Sequence, residues 1–240
     1  MVKRDEIRKF YKEKILLYGD SGTGKSYISM EIAKECVKRG YRVRYIDTEY
    51  GSIKELDRIS EELTDEQLEL LDYSNHTDFG DAIENILRED DVFIKIVDNL
   101  DDIITFYKTY LEDKFLEAGE YVIGDKIKEI KDRDTFQLPY MYYSKIYDTI
   151  VSIIYKLLGH KYHIIFTMKP MGSSEGAQKT EQRIFAKFDT IIETSVGYEP
   201  SQRGDKPVWC QRIKKNRGKS DVVGEVVSDI QVALISRLLK

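Results

Sequence analysis

The chain has 240 residues, of which 41% are hydrophobic and 34% charged, and its net charge is −5. This length and composition suit one large domain or two small ones with a real apolar core, and they argue against a protein that binds polyanions over its whole surface. No apolar run approaches the roughly 18–20 residues that a membrane-spanning helix needs. The charged N-terminus does not resemble a secretory signal, and the two cysteines, Cys36 and Cys210, are too few for a disulfide framework. We therefore expect a cytoplasmic protein with reduced thiols and no membrane association.

Apolar runs alternate with amphipathic stretches along most of the chain. In chain order, the pattern predicts strands at 14–19, 41–47, 92–98 and 162–168, and helices at 26–40, 78–90 and 140–160. Residues 101–131 are interpreted as irregular helix, and 169–183, rich in small polar residues, as a mobile loop. Strands at 188–199 and 207–215 are predicted to form a hairpin, followed by a C-terminal helix over 228–240 with Ser228 as its N-cap.

The alternation of strands and helices predicts the fold class. It indicates an α/β protein with a mainly parallel central sheet, helices on both faces, and an antiparallel C-terminal hairpin at one edge. No Pro- or Gly-rich linker divides the chain. Residues 1–240 are therefore predicted to form a single domain.

The stretch GDSGTGKS at 19–26 matches G-x-x-x-x-G-K-[ST] between a predicted strand and a predicted helix. Its glycines let the backbone wrap an anion, and the helix N-terminus adds a positive dipole end. Lys25 is expected to neutralise the β- and γ-phosphates of ATP, and the Ser26 hydroxyl to bind Mg²⁺. The residues predicted to contact the nucleotide are Gly19, Asp20, Ser21, Gly22, Thr23, Gly24, Lys25, Ser26 and Tyr27.

A second acidic position completes the predicted metal site. Asp98 ends the buried strand 92–98, where a carboxylate can hold Mg²⁺ beside Ser26. Many motor ATPases place a catalytic Glu directly after this aspartate, but here the next residue is Asn99. The acid that activates water must therefore come from elsewhere in the chain or be missing.

The order and spacing of these elements resemble the RecA-like ATPases. Within them, the chain looks like the small phage and archaeal-virus nucleotide-binding proteins linked to single-strand annealing and recombination. The resemblance covers roughly residues 14–227 and includes YIDTEYG at 45–51. It implies that Glu49 positions and polarises the attacking water. Asp47 is the alternative base, because strand alternation would place both carboxylates on one side, and two solvated surface acids are the remaining interpretation.

The resemblance extends to later elements. It implies a γ-phosphate sensor at the end of the strand 162–168, where Thr167 and Lys169 stand but no Gln follows, and a DNA-contacting loop over 169–183. It also implies a Lys-x-Arg pair that reaches the γ-phosphate of a neighbouring subunit, and Lys215 and Arg217 have this spacing. A nucleic-acid-binding patch or solvated charge is the alternative interpretation of that pair.

These observations lead to three functional hypotheses. The first, implied by the resemblance, is a Mg²⁺-dependent ATPase that acts as a homo-oligomeric ring or filament on single-stranded DNA or on a DNA-bound protein. Its catalytic residues would be Lys25, Glu49, Lys215 and Arg217, and its metal ligands Ser26 and Asp98. The second is a small-molecule kinase, which the segment 169–183 disfavours because it offers one Arg instead of an arginine-rich lid. The third is an ATP-binding switch or interaction module with little turnover.

Overall fold

The computed structural model describes residues 12–89, 91–132, 134–139, 141–158, 161–173, 175–199, 206–216, 234 and 238. Strands β1 to β9 are Lys14–Tyr18, Val43–Asp47, Leu71–Asn75, Ile94–Asp98, Glu120–Ile123, Lys126–Glu129, His163–Met168, Thr190–Glu199 and Lys206–Asn216. Helices α1 to α7 are Lys25–Lys38, Ile53–Ser60, Asp65–Leu68, Phe79–Leu87, Leu100–Ala118, Met141–Leu158 and Glu175–Phe185. No helix within these ranges is long and apolar enough to cross a membrane.

Seven strands form the central sheet in the order β3-β2-β4-β7-β1-β8-β9. All neighbours in it are parallel except the terminal pair β8 and β9, which is antiparallel. This confirms the predicted α/β class with its edge hairpin. The carboxyl ends of parallel strands meet at one edge of a sheet, which is where ligands bind in open α/β folds. The ends of β1, β2, β4 and β7 are therefore brought together there.

Both faces of the sheet are covered, which explains why its central strands β1, β2, β4 and β7 are buried at nearly every position. Ile15 and Leu17 of β1 pack in the cluster that includes α1 and α2. Leu16 and Tyr18 pack in the opposite cluster with residues of α4 to α7. Leu234 and Leu238, both helical and buried, belong to the first cluster. The rest of the predicted C-terminal helix, including Ser228, lies outside the described residues.

The interpretation of 101–131 as one irregular helix is wrong beyond residue 118. Helix α5 ends at Ala118 and is capped by Gly119, which has the left-handed φ of 74°. Strands β5 and β6 then form a separate antiparallel hairpin. A two-residue Gly-Asp turn and the β-branched side chains around it favour a hairpin over a helix. Tertiary contacts fix it, because the Tyr142 hydroxyl of α6 donates to the Val122 carbonyl at 2.6 Å and accepts from the Val122 N–H at 3.2 Å.

The prediction of a loop over 169–183 is also wrong for most of that range, because helix α7 begins at Glu175. The buried positions of this helix are Ala177, Thr180 and Ile184. Their spacing is helical, but two of the three are small or polar, which hid the apolar stripe. The sequence also gave no indication of α2, α3 and β3, which lie in and just after the acid-rich stretch that follows Glu49.

Candidate functional site

The loop between β1 and α1 has the conformation that its glycines allow. Gly22 and Gly24 have φ values of 76° and 87°, and Gly24 is the N-cap of α1. Only glycine adopts these left-handed conformations without a steric penalty. The Thr23 hydroxyl donates to the Asp20 carbonyl at 2.8 Å and lies 2.7 Å from the Thr194 hydroxyl of β8. The loop is therefore fastened to the sheet on its β8 side.

Lys25 lies at the first position of α1 with only 7% of its surface exposed. Its ammonium donates to the carbonyls of Gly19 and Asp20 at 2.7 Å each. Burial lowers the pKa of this lysine, and the nearby carboxylates of Asp98 and Asp101 oppose the shift. The ammonium group is thus held against the loop by two backbone carbonyls. The oxygens of a phosphate group can replace these carbonyls as its hydrogen-bond acceptors.

The remaining residues predicted to contact a nucleotide line the same loop. Ser26 is half-buried, and Asp20, Ser21, Gly22 and Tyr27 are exposed to solvent. The Arg58 guanidinium lies over the Tyr27 ring, 4.9 Å from its centre. The loop therefore presents its outer surface to solvent while Lys25 is buried beneath it.

We expect Gly19→Ala to lower the free energy of unfolding by about 3 kcal/mol, which is the upper end of the loss that overpacking of a core typically causes. A Cβ atom at Gly19 would lie 2.2 Å from the Thr194 carbonyl oxygen, so backbone must move. Gly22→Ala is the matched control, because its Cβ would meet nothing within 4 Å and only the left-handed φ opposes it, at about 1–2 kcal/mol. Denaturant unfolding of both variants measures the difference, and equal losses would contradict the packing described here.

Asp98, at the end of β4, is 4% exposed and accepts hydrogen bonds from three hydroxyl groups. Oδ2 accepts from Tyr45 of β2 at 2.9 Å and from Ser52 at 2.8 Å, and Oδ1 accepts from Thr167 of β7. The next residue, Asn99, caps α5, because its side chain accepts from the Asp102 N–H at 2.9 Å. The position that carries a catalytic Glu in many motor ATPases therefore has a helix-capping role here.

Asp47 and Glu49 do not share one strand face, because β2 ends at Asp47 and the following residues turn. Asp47 is fully buried and accepts from the Glu49 and Ser52 N–H groups at 2.9 and 3.0 Å and from the Tyr73 hydroxyl at 2.7 Å. The expectation based on strand alternation is thus wrong. Asp47 shapes the turn, and Glu49 is the acid of the pair that extends from it.

Glu49 forms an ion pair with Lys169, which directly follows β7, and each side chain is 33% exposed. Burial lowers the pKa of Lys169, but the hydrogen bond and charge of Glu49, together with the charges of Asp102 and Asp101, make the net shift upward. The Lys169 backbone N–H donates to Asp101 Oδ2 at 2.7 Å. The end of β7 is therefore tied both to the turn after β2 and to the start of α5.

Asp101 and Asp102 also belong to this site, which no motif along the chain had indicated. Burial raises the pKa of each to about 6, and the charge of Glu49 adds to the shift of Asp102. With Asp98 and Glu49 they form a group of four carboxylates near the ammonium groups of Lys25 and Lys169. Carboxylates thus outnumber ammonium groups in the crevice, and a divalent cation would relieve that imbalance.

The oxygen donors at this edge fit Mg²⁺. Mg²⁺ in phosphate sites takes one or two protein oxygens and completes its shell with phosphates and water. The Ser26 hydroxyl and the Asp98 carboxylate are the protein oxygens that would hold the ion. Across the described ranges, no group of three or more His, Cys, Asp or Glu side chains is arranged to hold a metal ion by itself, so the phosphates would have to contribute ligands.

Two predicted site residues lie apart from this crevice or outside the described chain. Lys215 pairs with Ile191, which is level with Leu16 in the middle of β1, and its ammonium donates to the Phe185 carbonyl at 2.6 Å. Arg217 lies outside the described residues. In the segment predicted to contact DNA, all three basic side chains form ion pairs: Lys169 with Glu49, Lys179 with Glu175 and Arg183 with Asp148.

The glycine loop, the lysine and serine that begin α1, and the buried aspartate two strands away define a P-loop ATPase with a RecA-like fold. Residues 11–197 match the family model described as AAA domain, and the chain belongs to that family. The structure is similar to the flagellar accessory protein FlaH from Methanocaldococcus jannaschii, with a TM-score of 0.55 and 14% identity over 91% of this chain and 87% of that one. At this identity the similarity shows the fold alone. No match was found among the curated proteins.

Proposed function

We propose that this chain hydrolyses ATP with Mg²⁺, using Lys25, Ser26, Asp98 and Glu49. The proposal is carried by one observation: side chains from β4, from α1 and from the turn after β2 act electrostatically on one another at a single edge of the sheet. The charges of Asp98 and Glu49 both raise the pKa of Lys25 against the effect of its burial. Phosphoryl transfer needs little more than such positioning and charge stabilisation.

Each residue has a role that follows from its contacts. The loop N–H groups and the α1 dipole bind the phosphates, and Lys25 exchanges the carbonyls of Gly19 and Asp20 for phosphate oxygens. Mg²⁺ held by Ser26 and Asp98 would supply further positive charge. Glu49 takes a proton from the attacking water, and to do so its carboxylate must be released from Lys169.

We further propose that the chain acts as a homo-oligomer on single-stranded DNA, with Lys215 and Arg217 completing a neighbouring site. A cavity of about 400 Å³ supports this, because it lies beside Gly19 and Asp20 and has room for side chains supplied from outside. The seven basic residues between 202 and 219 support contact with a polyanion. Recombination or annealing, and a viral origin, rest on the sequence resemblance alone.

The test is the ATPase rate per chain over a series of protein concentrations, with single-stranded DNA, double-stranded DNA, RNA or no nucleic acid. We expect the rate to rise with protein concentration, because assembly completes the site, and to rise further with single-stranded DNA. Phosphate release and ADP formation should match mole for mole. A rate that responds neither to concentration nor to any nucleic acid would count against the oligomer and the DNA partner.

A nucleotide switch is the second candidate, and the contacts of Glu49 and Lys25 favour it over the kinase. Glu49 is paired with Lys169, and Lys25 is held by loop carbonyls, so both groups have partners other than a nucleotide. If that arrangement persists after binding, ATP stays intact in the site. Recovery of bound ATP after prolonged incubation with Mg²⁺ would favour the switch, and ADP without free phosphate in the presence of an acceptor would favour the kinase.

A further inference from the structure

Tyr45 is a core tyrosine whose hydroxyl lies among functional groups. The residue is fully buried in β2, one strand away from the end of β4. Its hydroxyl donates to Asp98 Oδ2 at 2.9 Å and lies 2.8 Å from the Ser29 hydroxyl of α1 and 3.0 Å from the Ser52 hydroxyl. A phenol is protonated at neutral pH, so the group is available as a hydrogen-bond donor to Asp98.

The Ser52 side chain has a hydrogen-bond partner that is unusual for an N-cap residue. It is the N-cap residue of α2, where a serine side chain commonly accepts a hydrogen bond from the first turn, yet it makes no such cap. Its hydroxyl donates instead to Asp98 Oδ2 at 2.8 Å. The Ser52 side chain is fully buried, so this contact is made without competition from solvent.

The backbone of Ser52 connects the same network to the turn that carries Glu49. Its N–H donates to Asp47 Oδ2 at 3.0 Å, and Asp47 Oδ1 accepts from the Glu49 N–H at 2.9 Å. A chain of hydrogen bonds thus runs from Asp98 through Ser52 and Asp47 to the backbone of Glu49. This chain connects the metal carboxylate to the backbone of the turn that carries the proposed base.

We propose that Tyr45 and Ser52 are positioning residues, which orient the Asp98 carboxylate for Mg²⁺, and that Ser52 also fixes the turn that presents Glu49. This inference rests on the proposed ATP hydrolysis. Groups that hydrogen-bond a metal-binding side chain set its orientation, and their removal typically weakens metal binding by about 10–100-fold. The simpler interpretation is that the hydroxyls only satisfy each other in the core, in which case their removal changes stability and nothing else.

The test compares Tyr45→Phe and Ser52→Ala with Tyr73→Phe. Tyr73 is a matched control for the Mg²⁺ requirement, because its ring stacks on Tyr45 at 5.7 Å but its hydroxyl donates to Asp47 and not to Asp98. We expect the Mg²⁺ concentration for half-maximal ATPase rate to rise by about 10-fold or more in the first two variants and by less than about 2-fold in Tyr73→Phe. At saturating Mg²⁺, Tyr45→Phe should recover its kcat, whereas Ser52→Ala should not.

Thermal unfolding and Mn²⁺ affinity of the ATP-bound chain separate the possible outcomes. Folded variants with an unchanged Mg²⁺ requirement and unchanged Mn²⁺ affinity would overturn the inference while leaving the proposed function intact. The small Ser52→Ala change keeps the test decisive if Tyr45→Phe does not fold. A wild-type chain that binds ATP and Mg²⁺ without hydrolysis would overturn the proposed function, and the Mn²⁺ affinities would still decide whether Tyr45 and Ser52 orient Asp98.

Discussion

Replacing Lys25 with alanine is expected to lower the rate of ATP hydrolysis by about 10²–10³-fold, the range found when one charge-stabilising group is removed from an active site. The lysine is the buried cation that begins α1, and among the described residues its ammonium donates to the carbonyls of Gly19 and Asp20 and forms no ion pair. Its ammonium can therefore transfer to the phosphates without breaking an ion pair. Phosphate release at saturating ATP, together with ATP affinity, measures the effect.

Lys114→Ala is the control for the loss of one lysine, because that side chain is exposed on α5, where it pairs with Glu117 at 3.0 Å and lies over the Tyr110 ring. We expect its rate to match the wild type. The fold should survive Lys25→Ala, since no packed apolar side chain is removed. A Lys25→Ala variant that hydrolyses ATP at the wild-type rate would show that the glycine loop is not the phosphate site.

Replacing Glu49 with glutamine is expected to lower the hydrolysis rate by about 10²–10⁴-fold, the contribution typical of a positioned general base. Glutamine keeps the shape of the side chain but cannot take a proton from water. ATP affinity should be nearly unchanged, because Lys25 and the loop N–H groups bind the phosphates. The effect should therefore fall on kcat, which steady-state phosphate release and equilibrium ATP binding measure together.

Two further variants distinguish this role from its alternatives. Glu175→Gln removes an acid that is 81% exposed on α7, and its rate should equal that of the wild type. Asp47→Asn should mainly reduce stability, because Asp47 accepts hydrogen bonds from two backbone N–H groups and from Tyr73. If Asp47→Asn folds normally and loses hydrolysis while Glu49→Gln retains it, the roles of the two acids must be exchanged.

The fold was predictable wherever the signal lay in one contiguous stretch of residues. The glycine loop carries its strand, its turn and its helix start within a dozen positions. Strands such as Ile94–Asp98 are buried throughout and largely apolar because both faces of the sheet are covered. The three misread regions lack such local signals. Helix α7 buries Ala177 and Thr180, β3 is a polar edge strand, and the β5–β6 hairpin depends on Tyr142 from a distant helix.

The site was predictable only in part, for a related reason. Lys25, Ser26 and Asp98 follow from motifs, but the network around Asp98 joins β2, β4 and β7, which are adjacent only through the strand order of the sheet. No pattern along the chain distinguishes Tyr45 from an ordinary core aromatic or Ser52 from an ordinary N-cap. Asp101 and Asp102 likewise resemble the usual acids of a first helical turn.

Single-turnover cleavage of bound ATP by the wild type and by Glu49→Gln tests the account most directly, because it isolates the chemical step from product release and assembly. With Mg²⁺ and chain in excess over ATP, we expect the wild type to convert bound ATP to ADP and phosphate. Glu49→Gln should hold the same amount of ATP intact for at least about 100 times longer. Equal cleavage rates in the two proteins, at equal occupancy, would contradict the assignment of Glu49 as the base.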